Sequence, residues 1–151
     1  MATHVRTKDE LLYEEDFYVW TEVQAQLLRA RRFDALDLAN LIEEIETLGR
    51  AEKKEVLSNA MVIVEHLLKL QHRPAQKPRP GWIDSVLEHR NRLELDLTPR
   101  LLQILADELP HVYRIARRTA ERRLRAHGED AAALPASCPY TLDQITTDWW
   151  P

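Results

Sequence analysis

The sequence predicts an all-α protein, a compact bundle of about five or six helices with a long second helix at its centre. Three observations carry the prediction. Only three of the 151 residues are glycine, whereas sheet-rich folds consume turn residues freely. Apolar residues recur at helical spacing through most of the chain. Helix-start signals, a capping Thr or Asp with Glu, Gln or Pro behind it, punctuate those runs. A length of 151 residues with 44% hydrophobic content suits one domain, 1–151, with a core that needs no metal or disulfide staple.

The first helix is expected from Thr7, because Thr7 and Glu10 fit a reciprocal capping box. Tyr13, Phe17, Trp20, Val23 and Leu27 make its inner stripe, and cations at Arg31-Arg32 suit its end. Asp16 falls inside the apolar arc, so its carboxylate is expected near the core, where it needs a partner. Asp34 is the expected cap of the second helix, with Phe33 and Leu38 at hydrophobic-staple spacing. No proline then interrupts the chain to Gln71. Leu41, Ile45, Leu48, Val56, Ile63, Leu67 and Leu70 share one face. Past Val56 apolar residues spread around the circumference, which predicts the most buried element.

Three prolines between Arg73 and Pro80 mark a connector of about 73–80. The next helix is expected from Gly81-Trp82, with Trp82, Ile83, Val86, Leu93 and Leu97 inward and Arg90 in the middle of that arc. Thr98-Pro99 is a strong start, a capping hydroxyl followed by proline at the first helical position. Pro110 either divides the helix begun there or kinks it. Val112, Ile115, Ala116, Thr119, Ala120 and Leu124 face inward up to a stop at Gly128. A loop from Ala131 to Pro139 leads to a last capping box, Thr141 with Gln144.

Composition excludes several functions. The longest apolar stretch, Ala60 to Leu70, is cut by Glu65, His66 and Lys69, so no membrane span is expected. The one cysteine, Cys138, cannot pair internally, which suits a reducing cytoplasm. It is expected to anchor the closing loop as a small apolar group rather than to act as a nucleophile. Glycines at 49, 81 and 128 build no phosphate-cradling loop, so no cofactor is expected. Metal spacing is poor as well. The one Glu-x-x-His, Glu108 to His111, has a proline inside it, and no Cys-x-x-Cys exists, so no metal is expected.

Several charged residues remain as candidates. Glu43 and Glu46 point away from the apolar face of the long helix, a solvated pattern. Glu44, Glu55, Asn59 and His66 run along its edge, either beside a cleft or as a polar seam between packed helices. Six arginines crowd between Arg114 and Arg125 in a chain of net charge −4. Arg114, Arg118, Arg122 and Arg125 lie opposite the inward face, a pattern suited to phosphates, whereas Arg117 and Arg123 fall nearer the core.

The chain also resembles the uncharacterised bacterial helical family catalogued as domain-of-unknown-function family 29. The matching residues are Leu12 to Trp20, Phe33-Asp34 through Asp37, Asn40-Leu41, Glu43-Glu44-Ile45-Glu46 and Leu48-Gly49. They continue with His66 to Lys69, Trp82, Glu88, Arg90, Tyr113, Ala116-Arg117 and Cys138 to Leu142. Gly81 and Leu70 depart from a usual serine and a usual aromatic. The resemblance implies an all-helical single domain and carries no established reaction, cofactor or partner.

Three functions follow as expectations. The first is a non-catalytic interaction or regulatory module that binds a protein partner or a second copy. The second is a nucleic-acid-associated protein using Arg114, Arg118, Arg122 and Arg125. The third is an enzyme with Glu44, His66 and Arg90 around a cleft. Arg90, a charge within an apolar arc, is expected to be buried against a carboxylate, Asp16 or Glu44. At least one of Trp149 and Trp150 is expected to dock on the bundle and close its core, the alternative being an exposed Trp150 that anchors a second subunit or a partner.

Overall fold

The computed structural model describes residues 8–73, 79–131 and 134–151, with side chains from Leu12 onward. Every regular element among them is helical: α1 (Lys8–Glu15), α2 (Phe17–Arg29), α3 (Leu38–His72), α4 (Arg79–Asp96), α5 (Pro99–Ala126) and α6 (Leu142–Thr146), with a 3₁₀ turn at Phe33–Ala35. The long helix is therefore third in order, because the expected first helix is two. The expected Thr7–Glu10 capping box and most of the 73–80 connector lie outside the described residues. The chain divides into two compact units, Met1–Arg50 and Ala51–Pro151.

In the first unit Asp16 explains the break. Its side chain accepts from the Val19 amide at 3.1 Å and caps α2, so the carboxylate lies at an exposed helix start rather than near a core. Tyr13, Phe17 and Trp20 pack as a ring cluster with centroids 4.9–5.7 Å apart. Arg31 takes a left-handed φ of 57° after α2 ends. Asp37, not Asp34, organises the start of α3. It accepts the Trp20 indole N–H at 3.1 Å and the Asn40 side chain at 2.7 Å, while its own amide donates to Gln24 at 2.9 Å. Asp34 instead pairs with Arg32 at 3.5 Å in the open.

The early face of α3 corrects a second expectation. Ile45 and Leu48 are 66% and 68% exposed, although their spacing matches a buried stripe. Helical periodicity reports a common face but not what covers it.

The second unit is a helical bundle built on the later turns of α3. Ile63, Val64, Leu67 and Leu68 are fully buried and pack with Val86 and Leu93 of α4, Leu105, Val112 and Ala120 of α5, and Ile145 of α6. Thr98 caps α5 by accepting from the Leu101 amide at 3.2 Å. The helix then runs through Pro110 without ending, so the Ala106 carbonyl lacks the amide that would ordinarily face it. At its end, Gly128 at φ 72° and the Glu129 amide donating to Leu124 at 3.0 Å close a Schellman motif. The Thr141–Gln144 capping box opens α6, and Trp149 and Trp150 lie half-buried against the core. Among the described residues no helix is long and apolar enough to cross a membrane.

Candidate functional site

A groove of about 720 Å³ opens along the middle of α5. Its floor is Ala106, Leu109, Pro110 and Tyr113, and one wall carries Arg114, Arg117, Arg118 and Glu121. Ala136, Ser137 and Cys138 form the opposite rim. Helical spacing makes the lining: positions 106, 110, 113, 117 and 121 recur every three or four residues, with 114 beside them, and so share one side of the helix.

Two contacts hold the rim. The Tyr113 hydroxyl donates to the Pro135 carbonyl at 2.5 Å, and Arg117 donates to the Leu134 carbonyl at 3.4 Å. Burial raises the Tyr113 pKa, so the phenol stays protonated and keeps donating. Burial also pushes the Cys138 thiol up, and its S–H donates to the Tyr140 carbonyl at 3.5 Å. A protonated thiol is a poor nucleophile.

The arginines are not equivalent. Arg117 is 3.0 Å from Glu121, and Arg114 donates to the His111 ring at 2.8 Å. Arg118 makes no ion pair or hydrogen bond among the described residues. With three guanidiniums and one carboxylate in its lining, the groove is a cationic recess on an apolar floor. Arg122 and Arg125 are exposed further along α5, outside the groove, and continue the same helical face. Arg123 turns away and reaches Glu65 at 2.8 Å.

That second contact belongs to a buried charge cluster. Glu65 also lies 3.0 Å from Lys69, and both are under a tenth exposed. The Lys69 ammonium and the Arg73 guanidinium sit 5.1 and 5.2 Å from the Trp82 ring centroid, a cation–π arrangement. Arg73 is also paired with Glu129. Burial lowers the Lys69 pKa, and Glu65 works the other way.

The residues of the expected cleft have separate commitments. Glu44 accepts the Tyr13 hydroxyl at 2.5 Å, a bond that pushes the Tyr13 pKa up to about 12. His66 is buried and bonds the Val62 carbonyl through Nδ1 at 2.7 Å; burial lowers its pKa. None of the three lines the groove on α5. The flank that carries His66 is a seam: Asn59, 2% exposed, bonds Glu55 on its own helix and His89 of α4 at 2.7 Å.

Arg90, expected against a carboxylate, is engaged by other groups within its own unit. It is 5% exposed, yet its acceptors are backbone carbonyls. Nε donates to Ile145 at 3.0 Å, and Nη2 donates to Gln144 at 2.7 Å and to Trp149 at 2.8 Å. Its guanidinium lies 4.9 Å from the Trp150 ring centroid. Backbone carbonyls can accept from a guanidinium as a carboxylate does, which sequence spacing does not reveal; Nη1 is buried with no hydrogen-bond partner among the described residues. Burial lowers its pKa, and Asp148 acts against that.

Among the described residues no group of three His, Cys, Asp or Glu side chains converges as a metal would require. Glu108 of the Glu-x-x-His is bound by Lys53 at 2.7 Å, which holds its carboxyl below the usual range.

A family model described as a domain of unknown function, DUF29, matches residues 12–150. No curated protein and no solved structure matches the chain.

Proposed function

The chain belongs to the DUF29 family, whose description assigns no activity, and on that premise we propose that it is a non-catalytic helical interaction module of the cytoplasm. The observation that carries this is the apolar stripe on the first turns of α3. Leu38, Ile42 and Ile45 are 57%, 55% and 66% exposed and recur at the spacing of a single helix face. Gly49 continues that face, and a Cβ placed there would meet nothing within 4 Å. Exposed apolar surface of this kind marks an interface.

Charge selects the occupant. The Met1–Arg50 segment holds eleven Asp and Glu against six Lys and Arg, so a second copy would set acid against acid. A basic amphipathic helix of another protein supplies both complements: apolar anchors for the stripe and cations for its acidic surroundings.

The test uses a labelled Leu/Lys peptide with helical amphipathicity and a scrambled peptide of equal composition. Anisotropy should show saturable binding of the first, weakened about tenfold or more in Ile42→Ser/Ile45→Ser, since each anchor is worth over 1 kcal/mol. Equal binding of the scrambled peptide, or indifference to the double substitution, overturns the proposal. A stable dimer built on this face in sedimentation assigns it to a second copy and also overturns it.

A second reading, nucleic-acid association, is favoured by the exposure of Arg114, Arg118, Arg122 and Arg125 on one arc of α5. It requires gel-shift binding that falls steeply with salt and disappears when all four become Ser.

A further inference from the structure

We propose that the groove on α5 binds a small amphipathic anion, an aryl or acyl carboxylate, with its charged head between Arg114 and Arg118 and its apolar body on Leu109, Pro110 and Tyr113. The proposal is independent of the α3 stripe. It rests on a built recess rather than on surface charge alone.

The volume of about 720 Å³ falls within the range of small-molecule sites, about 300–1,000 Å³. The lining has the usual division of labour for such a site: an apolar floor, with a few polar groups to fix orientation. Arg114 and Arg118 stand one helical turn apart, a spacing that lets two guanidiniums grip one carboxylate. Arg118 makes no other polar contact among the described residues, so binding breaks nothing there. Arg114 donates through Nη2 to the neutral His111 ring at 2.8 Å and keeps its other donors, whereas Arg117 is excluded as the grip, because the Glu121 carboxylate at 3.0 Å and the Leu134 carbonyl already engage it.

The floor discriminates against a nucleic acid strand. A phosphate-tracking surface needs repeated cations along its length with stackable rings between them. Here Tyr113 is 3% exposed and its hydroxyl is held by Pro135, so its ring serves as floor and not as a stacking platform.

The chain contains one cysteine, Cys138, and it lies on the groove rim. Its alkylation therefore reports on this recess. The experiment follows the rate of reaction of the full chain with N-ethylmaleimide while 2-naphthoate is titrated, with neutral 2-naphthamide as control. We expect saturable protection by naphthoate and little by naphthamide. Arg114→Gln/Arg118→Gln should raise the half-protection concentration about ten- to a hundredfold, the loss of one or two charge-assisted hydrogen bonds. Arg122→Gln/Arg125→Gln should leave protection intact. Both pairs are exposed, and circular dichroism checks that the variants remain helical. Absence of protection, equal protection by naphthamide, or protection that survives Arg114→Gln/Arg118→Gln overturns the proposal. Stronger protection by a short oligonucleotide, sensitive to Arg122→Gln/Arg125→Gln, overturns it in favour of nucleic acid.

Discussion

Replacing Arg90 by Met keeps an apolar stem of similar reach and removes every donor. Three hydrogen bonds are lost, at 2.7, 2.8 and 3.0 Å. Bonds from a charged donor are worth about 1.5–3 kcal/mol each, and the Trp150 contact adds roughly 0.5–1 kcal/mol. Against this stands the desolvation of a buried guanidinium, several kcal/mol. The difference leaves a net loss of roughly 2–4 kcal/mol. That loss is local, because all three acceptors lie in one stretch, Gln144 to Trp149. The stretch should detach before the rest of the bundle opens. Hydrogen exchange should then show amide protection in 142–149 reduced by about 30- to 1,000-fold, while residues 63–70 of α3 change far less. Arg90→Lys should behave much like Arg90→Met, since one ammonium cannot reproduce the fork that reaches three carbonyls. Unchanged protection in 142–149, or an equal loss across both segments, would refute the reasoning.

Other outcomes follow from the same geometry. Ile45→Ser should leave the unfolding midpoint nearly unchanged, whereas Ile63→Ala should cost about 2–5 kcal/mol in chemical denaturation, because only Ile63 is buried. Tyr113→Phe should lose about 0.5–1.5 kcal/mol and speed Cys138 alkylation, since the bond to Pro135 holds the rim. His66 has a folded pKa below its ordinary 6.5. Above that pH both states are neutral; below it the unfolded chain takes up a proton that the fold refuses, so stability falls as pH drops from about 6.5. Thermal melts from pH 8 to pH 5 should show that slope, and it should shrink in His66→Gln.

Much of the second unit was legible from the chain. Thr98-Pro99, Gly128 and Thr141 with Gln144 act through local backbone chemistry, and each marks an observed boundary. The inward faces of α4 and α5 also follow from spacing: Val86, Leu93, Val112, Ala116, Ala120 and Leu124 are all buried. Failures concentrate where two residues of one type compete or where the partner is distant in sequence. Asp16 and Asp37 are caps that spacing assigned to a core and to Asp34. Arg90 lies 54 to 59 positions from the carbonyls it binds, and backbone acceptors leave no trace in residue identity. The arginine run was legible, but the groove was not. Its rim comes from 136–138, and the Tyr113 and Arg117 bonds help bring that loop to α5.

The missing rung at Pro110 has a mechanical consequence. A helix resists bending because its hydrogen bonds form continuous columns along the axis, and α5 lacks one such bond where Ala106 and Pro110 line the groove. Compliance is therefore concentrated at one place. Bending about that point would shift 99–109 against 112–126 while each stretch stays stiff. Such a bend would change the width of the recess without breaking any backbone bond that the helix possesses. A proline that lowers intrinsic helix stability by about 3 kcal/mol thus sets where the bundle yields under load, and Pro110→Ala would give a stiffer α5 with a groove of one fixed width.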